Sequence, residues 1–248
     1  MSIKSYKELL ALKEVGRIVR LALEAMSAKV RAGVTTGELA QIGGKVMREN
    51  GALSAPRIVY GFPGDVLISL NDEAVHGIPS NARKLCAGDL VKLDVTFEKN
   101  GYMADAALTV PIEPVSDEAR RLMNCAESAF RKAMRFARAR HRVNEIGRAV
   151  EQEVRQNGFN VIRELGGHGI GHTIHEEPSV PNFDDPHARR RLTAGMVLTV
   201  EPIIAVGSGQ PIDSGDGWTV KTADGGLSAH YEHTIVITES APMLLTAA

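Results

Sequence analysis

The stretch Ala87-Gly88-Asp89-Leu90-Val91-Lys92-Leu93-Asp94 returns 107 residues later as Ala194-Gly195-Met196-Val197-Leu198-Thr199-Val200-Glu201. The shared pattern is AGx(L/V)(V/L)x(L/V)(D/E), a β-rich run that ends on a carboxylate. Each run is followed by another with an acid near its start, Asp105 in ADAALTV and Glu232 in YEHTIVI. A chain with this order predicts two related halves, each giving two acids to a site on a pseudo-twofold axis.

What precedes each repeat is helical in pattern. Leu9, Leu12, Val15, Ile18, Val19, Ala22 and Met26 recur at spacings of three and four and predict an amphipathic helix within residues 5–31. Thr35 with Glu38 forms a capping box for a second helix to about Met47, stopped by Asn50-Gly51. A second pair is predicted from Ser116 to about Arg140 and from Val143 to Gln156, the latter closed by Asn157-Gly158. Glycine-punctuated Val/Ile/Leu/Thr runs between and after these pairs read as strands. The expectation is an α+β fold of two pseudo-twofold-related αα/β halves. Residues 1–248 are read as a single domain, because no linker, low-complexity tract or long charge run divides them.

Charge and cysteine usage narrow the functional classes. Lys+Arg of 29 against Asp+Glu of 30 leaves a net charge of -1, and the one basic cluster, Arg189-Arg190-Arg191, is short, so no nucleic-acid partner is expected. That triplet reads as a solvated loop or helix end. No apolar run approaches the ~18–20 residues of a membrane span, and the N-terminal MSIKSYKELLALKEV mixes charge throughout, unlike a signal peptide. Cys86 and Cys125 sit in no CxxC spacing and are expected to be buried, reduced thiols of a cytoplasmic protein. Metal or acid-base chemistry is left to histidines and carboxylates.

The sharpest local inference concerns Asp94 and Asp105. Asn100-Gly101 between two β-rich runs signals a type I′ hairpin. If Lys99 faces Tyr102, Asp94 lies opposite Ala107, and Asp105, two residues from Ala107, points to the same face as Asp94. Such a pair can be a solvated polar face. Its neighbours Leu93, Val95, Ala104 and Ala106 are apolar, however, and a carboxylate in a buried strand must take up a proton or a cation.

Residues 166–178, GGHGIGHTIHEEP, are too glycine-rich for a regular helix, so His168 and His172 are not a helical ligand pair. The segment is either a plain loop or a backbone shaped to approach something. His76, in NDEAVHGIP, is followed by Gly-Ile-Pro and taken alone reads as a turn residue.

Taken in order, NDEAVHGIP, GDLVKLDVTFEKNGYMAD, GHGIGHTIHEEP, GMVLTVEP and SAHYEHTIVIT closely resemble the type I methionine aminopeptidases of the pita-bread metallopeptidases, across roughly residues 5–245. The resemblance implies the pita-bread fold around a central antiparallel sheet. It implies a metalloaminopeptidase that removes the N-terminal residue, in first place the initiator methionine, from nascent proteins and peptides, and a monomer is expected. Two divalent ions (Mn, Fe(II), Co or Zn) are implied, with Asp94, Asp105, His168, Glu201 and Glu232 as ligands. Asp105 and Glu232 would bridge the ions, Asp94 would bind one bidentately, and His168 and Glu201 would complete the other. His76 and His175 would flank the substrate, His175 at the oxyanion, and Glu201 would also handle the proton of the attacking water. Thr96 would meet the substrate's free amine.

Departures from the family pattern fall in the side-chain pocket. Where relatives usually carry cysteine, tyrosine and phenylalanine, the matching positions here are Pro56, Val59, Phe62, Leu67 and Ile174, with Trp218 kept. Tyr60 replaces a usual histidine, and His230 stands where glutamine is common. Altered first-residue specificity and a non-catalytic peptide-binding member of the fold are the alternatives. Retention of every ligand type argues against the second.

Overall fold

In the computed structural model, which describes residues 1–247, helix α1 (Tyr6–Ser27) starts where the Ser5 hydroxyl accepts from Glu8 N–H and buries Leu12, Val15, Ile18, Val19, Ala22 and Met26 along one stripe. Helix α2 (Thr36–Glu49) opens on the expected capping box, with Glu38 N–H donating to Thr35 Oγ1 at 3.1 Å and Thr35 N–H to Glu38 Oε2 at 2.7 Å. A short helix α3 (Ala55–Tyr60) follows, which the sequence reading missed. Its signals were Pro56 in the first turn and Gly61 in the left-handed conformation at its end, with φ 76°.

Helix α4 (Asp117–Ala133) stops short of the predicted Arg140, whereas α5 (Val143–Gln156) has its predicted limits. Residues 134–138 close local turns, and from Ala139 the backbone donors turn outward. Ala139 N–H bonds Thr238 O at 2.8 Å and Arg140 N–H bonds Leu192 O at 3.0 Å, tertiary partners that a continuing helix would forgo.

The large sheet has nine strands, labelled here β1 (Leu53–Ser54), β2 (Leu67–Leu70), β3 (Leu90–Lys99), β4 (Tyr102–Pro111), β5 (Gly166–Gly169), β6 (Glu176–Pro181), β7 (Val197–Val200), β8 (Glu232–Val236) and β9 (Met243–Leu244). Its path runs β1-β3-β4-β8-β7-β5-β6, with β2 also on β3 and β9 also on β8, and its pairings are antiparallel. The β3–β4 hairpin has the predicted register, Lys99 opposite Tyr102 and Asp94 opposite Ala107, and Asn100 and Gly101 both have positive φ as the type I′ turn requires. Asp94 lies in the middle of β3, not at its end, because pairing continues to Lys99.

Alternation divides each half into two layers. Val91, Leu93, Val95, Phe97, Ala104 and Ala106 join one core with the buried faces of α1 and α2. Leu198, Val200 and Ile235 join another with α4 and α5. The opposite faces carry Asp94, Thr96 and Asp105 from one half and Glu232 from the other, so the helices back the sheet and the acids front it.

The halves meet at β4 and β8, where Ala107 faces Glu232 and Ala106 faces His233. On either side of these pairs a hydroxyl replaces a ladder bond. Asp105 N–H donates to Thr234 Oγ1 at 2.8 Å while that hydroxyl donates to Asp105 O at 2.7 Å. His230 N–H likewise donates to Thr109 Oγ1 at 3.0 Å, and that hydroxyl to His230 O at 2.9 Å. Cys125 is buried as expected, but Cys86 is exposed on the turn before β3, where its N–H bonds Asp89 Oδ2; both thiols are free. Arg189, Arg190 and Arg191 are solvated. Among the described residues no helix is long and apolar enough to cross a membrane.

Candidate metal centre and cleft

Asp94, Thr96, Asp105, His168, Glu201 and Glu232 line the floor of one cleft of about 580 Å³ that opens to solvent. His76, His175, Phe62, Leu67, Ile174 and Trp218 line the same cleft, so the structure brings these twelve residues together. Pro56 and Tyr60, four apart on α3, reach it too. Val59 does not. It turns to solvent on the outer side of that helix, 40% exposed, so the sequence reading placed it in the pocket wrongly.

Asp105, His168 and Glu201 are each held from behind. Asp105 is fixed through the Thr234 hydroxyl described above. Thr199, on β7, accepts from His168 N–H at 3.0 Å and donates to Glu201 Oε1 at 2.8 Å, so one hydroxyl orients two candidates. His168 Nδ1 lies 2.9 Å from Gly169 O, which as acceptor directs Nε2 into the cleft, 3.4 Å from Glu201 Oε1. Asn182 Nδ2 donates to Glu201 O at 2.9 Å. The sequence reading missed Thr199 and Thr234, each two residues along the chain from a ligand candidate.

Electrostatics strain this cluster. Burial first, then the charges of Asp105 and Glu201, pushes Asp94 well above the usual carboxylate range. Burial followed by neighbouring carboxylates does the same to Glu201 and Glu232, and burial brings Asp105 to about 7. Burial and the nearby His175 depress His168 to about 4, and His76 likewise. Asp105 Oδ1, Glu232 Oε1 and both ring nitrogens of His230 are buried without a hydrogen-bond partner among the described residues. Neutral imidazoles beside crowded, under-bonded carboxylate oxygens are the donor set of a divalent cation site. Donor atoms of Asp105, His168 and Glu232 fall within 4.8 Å of one another, as do those of Glu201, His230 and Glu232.

The walls are of two kinds. Phe62 and Trp218 meet edge to face with centroids 5.2 Å apart, an aromatic wall completed by Leu67 and Ile174. Opposite, His175 lies against His168 with ring centroids 4.2 Å apart. His172, the third histidine of its segment, points away to Gly101 O at 3.0 Å and packs on Tyr102.

Residues 11–239 match metallopeptidase family M24. The chain is 44% identical over 247 residues to methionine aminopeptidase 2 of Bacillus subtilis, with 99% of each covered. It is 40% identical over 244 residues to the methionine aminopeptidase of Clostridium perfringens, with 98% of each covered. Among solved structures, the methionine aminopeptidase from Thermotoga maritima is similar at a TM-score of 0.96 and 30% identity over 100% of both chains.

Proposed function

The chain belongs to metallopeptidase family M24, and from that premise we propose that it is a metal-dependent aminopeptidase of pita-bread fold that removes the N-terminal residue, initiator methionine first, from proteins and peptides. The observation that carries the reading is the meeting of buried Asp105, Glu201, Glu232 and His168 with half-buried Asp94 at the foot of a cleft with an apolar wall.

Two divalent ions, drawn from Mn, Fe(II), Co or Zn, suit an oxygen-rich donor set with imidazole. Asp94, Asp105, His168, Glu201 and Glu232 would hold them, with Asp105 and Glu232, one from each half, shared between the two positions. Four carboxylates offset the charge of two divalent ions, which relieves the crowding that raises their pKa values. When bound, the ions supply Lewis acidity to the scissile carbonyl and lower the pKa of water.

The protein's own groups do the rest. Phe62, Leu67, Ile174 and Trp218 receive the first side chain, and Thr96, opposite Asp105 in the hairpin, meets the free amine. Glu201 takes the proton of the attacking water and returns it to the leaving amine. His175 donates to the oxygen of the tetrahedral intermediate, and His76 flanks the peptide. Ligands drawn from both halves support residues 1–248 working as one catalytic unit. A monomer acting on nascent N-termini in the cytoplasm completes the reading.

The deciding experiment is hydrolysis of short peptides that differ in the first residue, with defined metals added to stripped protein. Release of methionine that depends on added metal is expected. No release from any peptide, with ions bound, would favour the peptide-binding alternative.

A further inference from the structure

His230 is the buried group at the cleft floor to which the proposed function gives no task. It ends the short strand Ser228–His230, two residues before Glu232 opens β8. Its ring is 2% exposed, and neither nitrogen has a hydrogen-bond partner among the described residues. Bare polar atoms so deeply buried are costly unless something binds them.

Its surroundings say what could. Nε2 lies 3.4 Å from Glu232 Oε2 and 3.7 Å from Glu201 Oε2. His168 Nε2 stands at the same 3.4 Å from Glu201 Oε1, so the two oxygens of Glu201 each face an imidazole. Two donors about 2.1 Å from one ion at the tetrahedral angle are about 3.4 Å apart, the spacing seen here. The seam between the halves also pairs His230 with Asp105. Each has its N–H and carbonyl bonded to a single threonine hydroxyl of the other half, Thr109 for His230 and Thr234 for Asp105.

We propose that His230 is a further protein ligand of the metal centre, binding through Nε2 to the ion held by Glu201 and Glu232. That ion then has two imidazole donors, His168 and His230. The inference rests on the proposed function for the presence of the ions and goes beyond it in the donor set. A second imidazole shifts the preference of this position from Mn toward Fe(II), Co or Zn.

The test uses the full chain, stripped and reloaded with one equivalent of Co(II). X-ray absorption at the cobalt edge counts imidazoles by their multiple scattering. Two per ion are expected in the wild type and one in either His230→Gln or His168→Gln. Calorimetric titration with Co(II) should show His230→Gln weakened by more than the roughly 10–100-fold that loss of an outer hydrogen-bonding partner costs. Glutamine keeps an N–H that can donate to Glu232, so a merely hydrogen-bonding His230 would leave the variant near wild-type affinity. A wild-type count of one imidazole overturns the inference, needs no variant to fold, and leaves the proposed function standing. Wild-type protein that binds no divalent ion overturns the proposed function and this inference together.

Discussion

Tyr60 Oη lies 2.5 Å from His175 Nδ1, joining the end of α3 to a loop histidine 115 residues away. A tyrosine hydroxyl that donates to Nδ1 leaves the proton on Nε2, the tautomer that can donate to a developing oxyanion. His175→Ala should lower kcat by roughly 10²–10³ with metal content unchanged. Tyr60→Phe should lower it by only about 2–12-fold, the worth of one hydrogen bond of ~0.5–1.5 kcal/mol. Steady-state kinetics with metal analysis checks both, and loss of metal from His175→Ala would make that residue a ligand.

Asp105→Ala removes a proposed bridge between the ions. Turnover should fall by more than the ~10²–10³ expected for an oxyanion donor, and metal content should drop below two ions per chain. Free metal at 100 times its Kd should stabilise the wild type by about 2.7 kcal/mol, worth roughly 5–11 °C in Tm for a chain of this size. The variant should lose most of that gain in thermal melts with and without metal.

Thr199→Val keeps shape but deletes the hydroxyl between His168 N–H and Glu201 Oε1. Metal affinity should weaken by about 10–100-fold, while metal-free stability falls by only about 1–3 kcal/mol. Full affinity in a titration of this variant would show that the hydroxyl does not orient the ligands.

Metal binding should release protons. Asp94, Glu201 and Glu232 are held well above the usual carboxylate range by burial and like charge, and Asp105 is raised to about 7 by burial. At neutral pH the ion-free site therefore carries protons that an incoming cation must displace. Affinity accordingly tightens as pH rises toward and past about 7. Calorimetry at pH 6.5 and 8.5 in buffers of different ionisation heat should find more protons released at the lower pH. No release at pH 6.5 would contradict the raised values.

First-residue selectivity should be set by Phe62, Leu67, Ile174 and Trp218. An apolar pocket separates side chains one methylene apart by only ~1–3 kcal/mol, and with Pro56 and Leu67 as the departures expected from the family resemblance, Met should be preferred over Leu only modestly. Values of kcat/KM for Met-Ala-Ser, Leu-Ala-Ser and Ala-Ala-Ser peptides under one metal decide this. A steep preference for Met would show these substitutions to be silent.

Local signals carried the hairpin. Asn100-Gly101 sets the register, and register alone brings Asp94 and Asp105 to one face. The five-motif resemblance supplied the remaining ligand candidates, which the fold gathers in one cleft. Relations between distant segments were not legible. The Tyr60–His175 bond and the pairing of Ala107 with Glu232 join residues more than a hundred apart, and no local propensity encodes them. The end of α4 was missed for the same reason, since Thr238 and Leu192 take the backbone donors that a periodic pattern assigns to the helix. Helix α3 was legible from Pro56 and Gly61 but too short to register as a period.

The seam at β4 and β8 has the widest consequence. The two halves touch there through two paired positions and a pair of threonine hydroxyls, and the acids of both halves crowd against it. Ions at that place would hold the halves together as well as serve the reaction, so cohesion and chemistry depend on the same atoms. A descendant that lost the ions would first have to repair the seam, with apolar or hydrogen-bonded contacts in place of mutually repelling acids. The donor set would then be tied to cohesion as well as to chemistry.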